Sequence, residues 1–116
     1  MRSKIKAFLA KYQAVAASPT TGRPDYTTAI LSRLVEIADT LASAYVTAGD
    51  KDRVFIARDL SDIQFEVNVR FTLGLKADVF DAEANRAFTH LLAIHMDAGI
   101  NCQYAVEQVW AEAARR

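Results

Sequence analysis

The chain has little in it that would staple, break or charge it. A single cysteine, Cys102, stands in 116 residues, so no internal disulfide can form and a reducing compartment fits. There are two prolines and four glycines, so helix breakers are rare and their positions carry information. Both prolines fall in "SPTTGRPD", residues 18–25, which is the one loop-like stretch of any length. Charge of either sign is not in excess: fourteen basic and fourteen acidic residues cancel, which argues against binding nucleic acid through bulk charge. No uncharged run approaches the ~18 apolar residues of a membrane span. The start, "MRSKIKAFLAKYQAVAAS", has the basic opening of a secretion signal, but Lys11 interrupts its apolar segment and "IKAFLAKY" reads better as an amphipathic helix. A cytoplasmic protein with no membrane partner is expected.

What is present is ordinary for a globular chain. Hydrophobic residues make up 52% and charged residues 24%, and a chain of this size hides about 65% of its unfolded surface, enough for one core without staples. A single domain over 1–116 is expected. Ile5, Phe8, Leu9 and Tyr12 recur at helical spacing before the proline loop. After it, Asp25 is a candidate N-cap for a long helix whose face is Ile30, Leu34, Ile37, Leu41 and Tyr45. Gly49 offers a stop and Asp50 a new cap. The next segment carries Ile56, Leu60, Ile63 and Val67 and should end near Gly74. "DVFDAEANRAF" restarts a helix capped by Asp78 or Asp81, Gly99 stops it, and Asn101 can cap a last helix, "CQYAVEQVWAEAARR". "EVNVRF" alternates for six residues but lies inside a helical pattern. The spacing therefore predicts an all-α fold of about five helices, with an antiparallel central pair joined at Gly49.

The acids of that pair suggest chemistry. Glu36 and Asp39 are three apart, as are Asp59 and Asp62, so each pair shares one side of its helix. Asp39 lies ten residues before Gly49 and Asp59 ten after it, so in an antiparallel hairpin the two pairs come level. Asp59 and Asp62 also share a row with Glu66, and that row continues in Phe55, Val69 and Leu73. Two like charges about 5 Å apart repel by roughly 3 kcal/mol even at an effective dielectric near 20. Four gathered carboxylates would take up protons, admit a basic side chain or bind a hard divalent cation such as Mg²⁺ or Mn²⁺. The plain alternative for each pair is a solvated helix face.

"RLVEIADTLASAYVTAGDKDRVFIARDLSDIQFEV" resembles the core of the MazG-like all-α nucleoside triphosphate pyrophosphohydrolases, and the resemblance extends over roughly residues 5–75. Glu36 and Asp39 match that family's first acidic pair, and Asp59 and Asp62 match its second. Asp39 and Asp59 stand where the family usually has Glu. "EANRAF" is the nearest counterpart of a basic and amide motif found in some members, with Arg86 and Asn85 in its place. The resemblance implies Mg²⁺- or Mn²⁺-dependent cleavage of a nucleoside triphosphate to the monophosphate and pyrophosphate. Glu36, Asp39, Asp59 and Asp62 would be the metal ligands and catalytic acids, and one of them, or Glu66, would orient the attacking water. A homodimer or homotetramer is implied. The alternative is a catalytically degenerate helical dimer that acts through protein contacts.

The remaining candidates read as structural. His90 and His95 are five apart and do not share a helix face; a surface or core-edge role is expected for each. Cys102 reads as a small buried residue. Trp110 with Val106 and Ala113 reads as a packing face, Arg33 as a surface arginine within reach of Glu36, and the closing "AARR" as a complement to a helix C-terminus.

Overall fold

The computed structural model describes residues 25–100 and 106–116. The expected first helix, the loop at 18–24, the Asn101 cap and Cys102 lie outside the described residues. Within them all regular structure is helical: a 3-10 turn, Tyr26–Thr28, is followed by α1 (Leu31–Thr47), α2 (Asp50–Lys76), α3 (Ala82–Ala98) and α4 (Val106–Arg115). The all-α class is as expected, and "EVNVRF" lies within α2. No helix among the described residues is long and apolar enough to cross a membrane.

The helix ends follow local chemistry, with several differences from expectation. Asp25 does cap, but it caps the 3-10 turn and not a long helix: its Oδ1 accepts from the Thr27 N–H at 3.0 Å. Ala29 and Ile30 are extended, with ψ of 144° and 154°, and that break delays α1 to Leu31. Ile30 is consequently exposed, not on the buried face. Gly49, not Asp50, is the N-cap residue of α2; Asp50 and Asp52 sit in its first turn, where carboxylates suit the positive end of the helix dipole. Helix α2 continues past Gly74 to Lys76. At Gly74 a side chain would meet the Val79 carbonyl oxygen, 3.0 Å from where a Cβ would sit. The missing side chain lets the loop fold back, and the Val79 N–H donates to the Gly74 carbonyl at 2.7 Å. Asp81 caps α3 through the Ala84 N–H at 3.0 Å, and Gly99, at φ 68°, ends it in the left-handed conformation.

The core has two parts because α2 is apolar on two sides. Leu34, Ile37, Ala38 and Leu41 of α1 pack with Ile56, Leu60, Ile63 and Val67 of α2 and with Ala87 and Leu91 of α3. The four α2 residues are spaced four, three and four apart, which keeps them on one stripe. On a second side of α2, Val69 joins Val109 and Ala113 of α4, flanked by Phe65 and Leu73. Trp110 is exposed, so the packing face of α4 is Val109 and Ala113. Gln64 of α2 and His95 of α3 are among the buried polar side chains. Gln64 donates through Nε2 to Asn68 Oδ1 at 2.7 Å, and His95 donates through Nδ1 to the Leu91 carbonyl at 2.8 Å. His95 is thus a core residue, only 1% exposed.

Candidate functional site

The four acids expected on one cation occupy different surroundings. Glu36 and Asp39 lie on the exposed side of α1. Glu36 pairs with Arg33 Nη1 at 3.4 Å, one turn back on the same helix. Asp39 Oδ1 meets His90 Nε2 of α3 at 2.6 Å. Asp59 is buried, 3% exposed, with the Arg58 guanidinium 3.6 Å from its Oδ1. Asp62 lies at a cleft on the side of α2 that faces the 3-10 turn and α4. Among the described residues no three Asp, Glu, His or Cys side chains converge as a metal centre requires. The expected quartet is not brought together, because the α1 pair turns towards α3 and solvent while Asp62 and Glu66 turn towards α4. Among the described residues the four acids do not form one shared Mg²⁺ or Mn²⁺ site.

Two acids of the α2 row, Asp62 and Glu66, line a cleft, and arginines meet Glu66 there. The cleft, about 310 Å³, is bounded by Asp25, Tyr26, Thr27, Asp62, Phe65, Glu66, Glu112 and Arg116. Glu66 is 3% exposed. Its Oε1 accepts from Arg70 Nε at 3.0 Å and from Arg116 Nη1 at 2.8 Å, and its Oε2 accepts from Arg116 Nη2 at 2.7 Å. Arg70 also donates through Nη2 to the carbonyls of Tyr26 and Thr27, at 3.1 and 3.2 Å. One carboxylate thus anchors two guanidinium groups that tie the 3-10 turn and the end of the chain to α2. The bond to Glu66 raises the Arg116 pKa above its ordinary value, against the opposing effect of burial, with the Glu112 carboxylate adding to it. Asp25 is held below the ordinary carboxylate value, first by the Thr27 hydroxyl at 2.7 Å and then by the Thr27 N–H.

Glu66, the candidate for orienting water, has both its oxygens bound by arginines. Sequence reading missed this arrangement because Glu66 and Arg116 are fifty residues apart and their pairing depends on how α4 packs. The usable signal was the stripe itself, since three acids in an apolar row call for a counter-charge. The "AARR" tail in part reaches back to α2 and does not serve only its own helix end.

A second cleft, about 330 Å³, opens between α1 and α3, lined by Leu31, Ser32, Val35, Glu83, Arg86, Ala87 and His90. Ser32, His90 and Asp39 are the residue types of a nucleophilic triad. The hydrogen bond of His90 goes to Asp39, and none joins it to Ser32, so the relay from nucleophile to base is not assembled. Comparison of the chain with protein-family models, with curated proteins and with solved structures finds no match.

Proposed function

We propose that the chain is a helical binding module that acts through protein contacts, with its acids serving the fold. The observation that carries this reading is where the carboxylates go. Glu36, Asp39 and Glu66 face Arg33, His90 and the Arg70–Arg116 pair, and cations already in place compete with any external ligand for the same oxygens. The contact surface is the end of the bundle where α1 and α3 finish. Asp39 meets His90 across α1 and α3, and Val46 and Met96 each stand in the last turn of their helix. Val46, Val54 and Met96 are 71%, 68% and 73% exposed there, on either side of the two-residue link Ala48–Gly49. Apolar side chains grouped at one end of a small domain mark an interaction surface. A second copy of the chain is the simplest occupant. The test is sedimentation over a range of protein concentration, for the parent and for Val46→Glu with Val54→Glu. Self-association that the paired substitution abolishes supports the module; a monomer at all concentrations, equally in both, counts against the second-copy form of it.

A second reading is Mg²⁺-dependent hydrolysis of nucleoside triphosphates to monophosphate and pyrophosphate. The spacing of Glu36, Asp39, Asp59 and Asp62 supports it, together with the burial of Asp59 one turn from the cleft-lining Asp62. A screen of standard and modified triphosphates with Mg²⁺ or Mn²⁺, assayed for pyrophosphate, separates the two. Release that Asp62→Asn abolishes would establish the hydrolase and displace the binding module.

A further inference from the structure

We infer that the cleft between α1 and α3 binds a small apolar zwitterion, of which a free α-amino acid with an aliphatic or aromatic side chain is the simplest. This goes beyond the contact surface proposed above and lies on a different part of the molecule.

Three features of the cleft converge on that ligand. The first is an unmatched pair of opposite charges. Glu83 and Arg86 stand one turn apart on α3, both exposed and both on the cleft wall. Each could close an i, i+3 ion pair with the other, yet neither has an ion-pair partner among the described residues, whereas Arg33 and Glu36, at the same spacing on α1, do pair. The second is the floor, which is aliphatic: Leu31, Val35 and Ala87. The third is a fixed polar end, where Asp39 holds the His90 ring by a 2.6 Å bond.

The chemistry of a ligand follows by elimination of charge types. An anion without a cationic group would meet Arg86 but also Glu83. A triphosphate would bring several negative charges to a wall whose unpaired cation is one arginine, with Glu83 and Asp39 close by. A cation would reverse the problem at Arg86. A neutral apolar molecule would cover both charges without pairing either, and that desolvation is unfavourable. An α-amino acid carries carboxylate and ammonium on one carbon, so two oppositely charged side chains one helical turn apart can take both at once. Arg86 would take the carboxylate, for which a guanidinium offers two parallel donors. Glu83 would take the ammonium, and the side chain would lie on Leu31, Val35 and Ala87. The volume, about 330 Å³, is at the small end for ligand sites and suits a molecule of this size.

The test is a protein-observed ¹H–¹⁵N NMR titration of the full chain with L-leucine and L-phenylalanine. Two single-charge analogues of leucine serve as controls: 4-methylpentanoate, which lacks the ammonium, and 3-methylbutylamine, which lacks the carboxylate. Saturable shifts confined to residues 31–35 and 83–90 are expected with the amino acids. Each analogue should bind at least about tenfold more weakly, the order expected for one lost charge-assisted bond. Arg86→Ala and Glu83→Ala should each weaken leucine to a similar degree; both side chains are exposed and unpaired among the described residues, so neither removal disturbs the core. The proposal is overturned if no saturable shift appears, if Arg86→Ala leaves the leucine isotherm unchanged, or if either analogue binds as tightly as leucine.

Discussion

Arg116 holds Glu66 by two nearly equal bonds, Nη1 to Oε1 at 2.8 Å and Nη2 to Oε2 at 2.7 Å, across fifty residues of sequence. The pair matters because Glu66 is buried and has a second arginine, Arg70, on the same oxygen. Removing Arg116 leaves Glu66 still bonded to Arg70, whereas removing Glu66 takes the buried carboxylate from both guanidinium groups at once, leaving Arg70 with the Tyr26 and Thr27 carbonyls and Arg116 with Glu112. Arg116→Ala should therefore cost about 1–3 kcal/mol, the range for losing a hydrogen bond to a charged group. Glu66→Ala should cost more, about 3–5 kcal/mol, as for breaking a buried pair from its hub. Urea unfolding of both variants and the double variant checks the order, and non-additivity is expected because the two share one interaction.

Asp25 gives a pH signature. The Thr27 hydroxyl and N–H hold its carboxyl below the ordinary value. A group whose folded pKa is lowered stabilises the fold above its unfolded pKa, and the contribution is lost as pH falls through the folded pKa. Asp25→Ala should thus be less stable than the parent by about 1 kcal/mol at neutral pH, the usual worth of a cap. That difference should persist down to about pH 4 and shrink below it, since an unperturbed aspartate titrates near 3.9. Chemical denaturation of both proteins from pH 7 to pH 3 measures it; a gap that stays constant to pH 3 would show that the charge on Asp25 is irrelevant.

The glycines separate by environment. Gly99 lies at φ 68°, so Gly99→Ala should cost about 1–2 kcal/mol from the left-handed strain alone. At Gly74 an added methyl gains helix propensity but meets the Val79 carbonyl at 3.0 Å. That neighbour is backbone, itself bonded to the same turn, so the clash should win and Gly74→Ala should cost about 1 kcal/mol net. Gly49 has open space around its missing side chain and φ −75°. Gly49→Ser should stabilise by about 0.5–1 kcal/mol, by supplying a cap oxygen and restricting the unfolded chain. Thermal or urea unfolding of the three variants checks both sign and order.

What could be read from the sequence was what depends on neighbours along the chain. The row Ile56, Leu60, Ile63, Val67 marked the core face of α2, all four fully buried; of the two caps offered for α3, Asp78 and Asp81, it is Asp81 that is used, and Gly99 ends the helix as expected. Breaks that depend on backbone angles were less visible. Nothing in "DYTTAIL" announces that Ala29 and Ile30 stay extended and turn the capping aspartate over to a 3-10 turn. The site was least legible. Asp39 and Asp59 are equidistant from Gly49, yet counting residues does not reveal how each helix is rotated, and the rotation sends Asp39 to His90 and the α2 row to α4. Of the outcomes open to gathered carboxylates, the one found at Glu66 is an intruding basic side chain. Whether the counter-charge was a metal ion or an arginine depended on a partner fifty residues away.

Thermal melts in Mg²⁺, in Mn²⁺ and in NaCl matched for ionic strength test most directly whether these acids answer to the protein's own cations. A cation that bound the native acids selectively would stabilise the fold by about 2.7 kcal/mol at a hundredfold excess over its dissociation constant, and screening by monovalent salt would not reproduce that. With Glu36, Asp39, Asp59 and Glu66 already beside arginine or histidine, the same midpoint is expected in all three. A rise of several degrees with either divalent ion, absent in NaCl and abolished by Asp62→Asn, would contradict it.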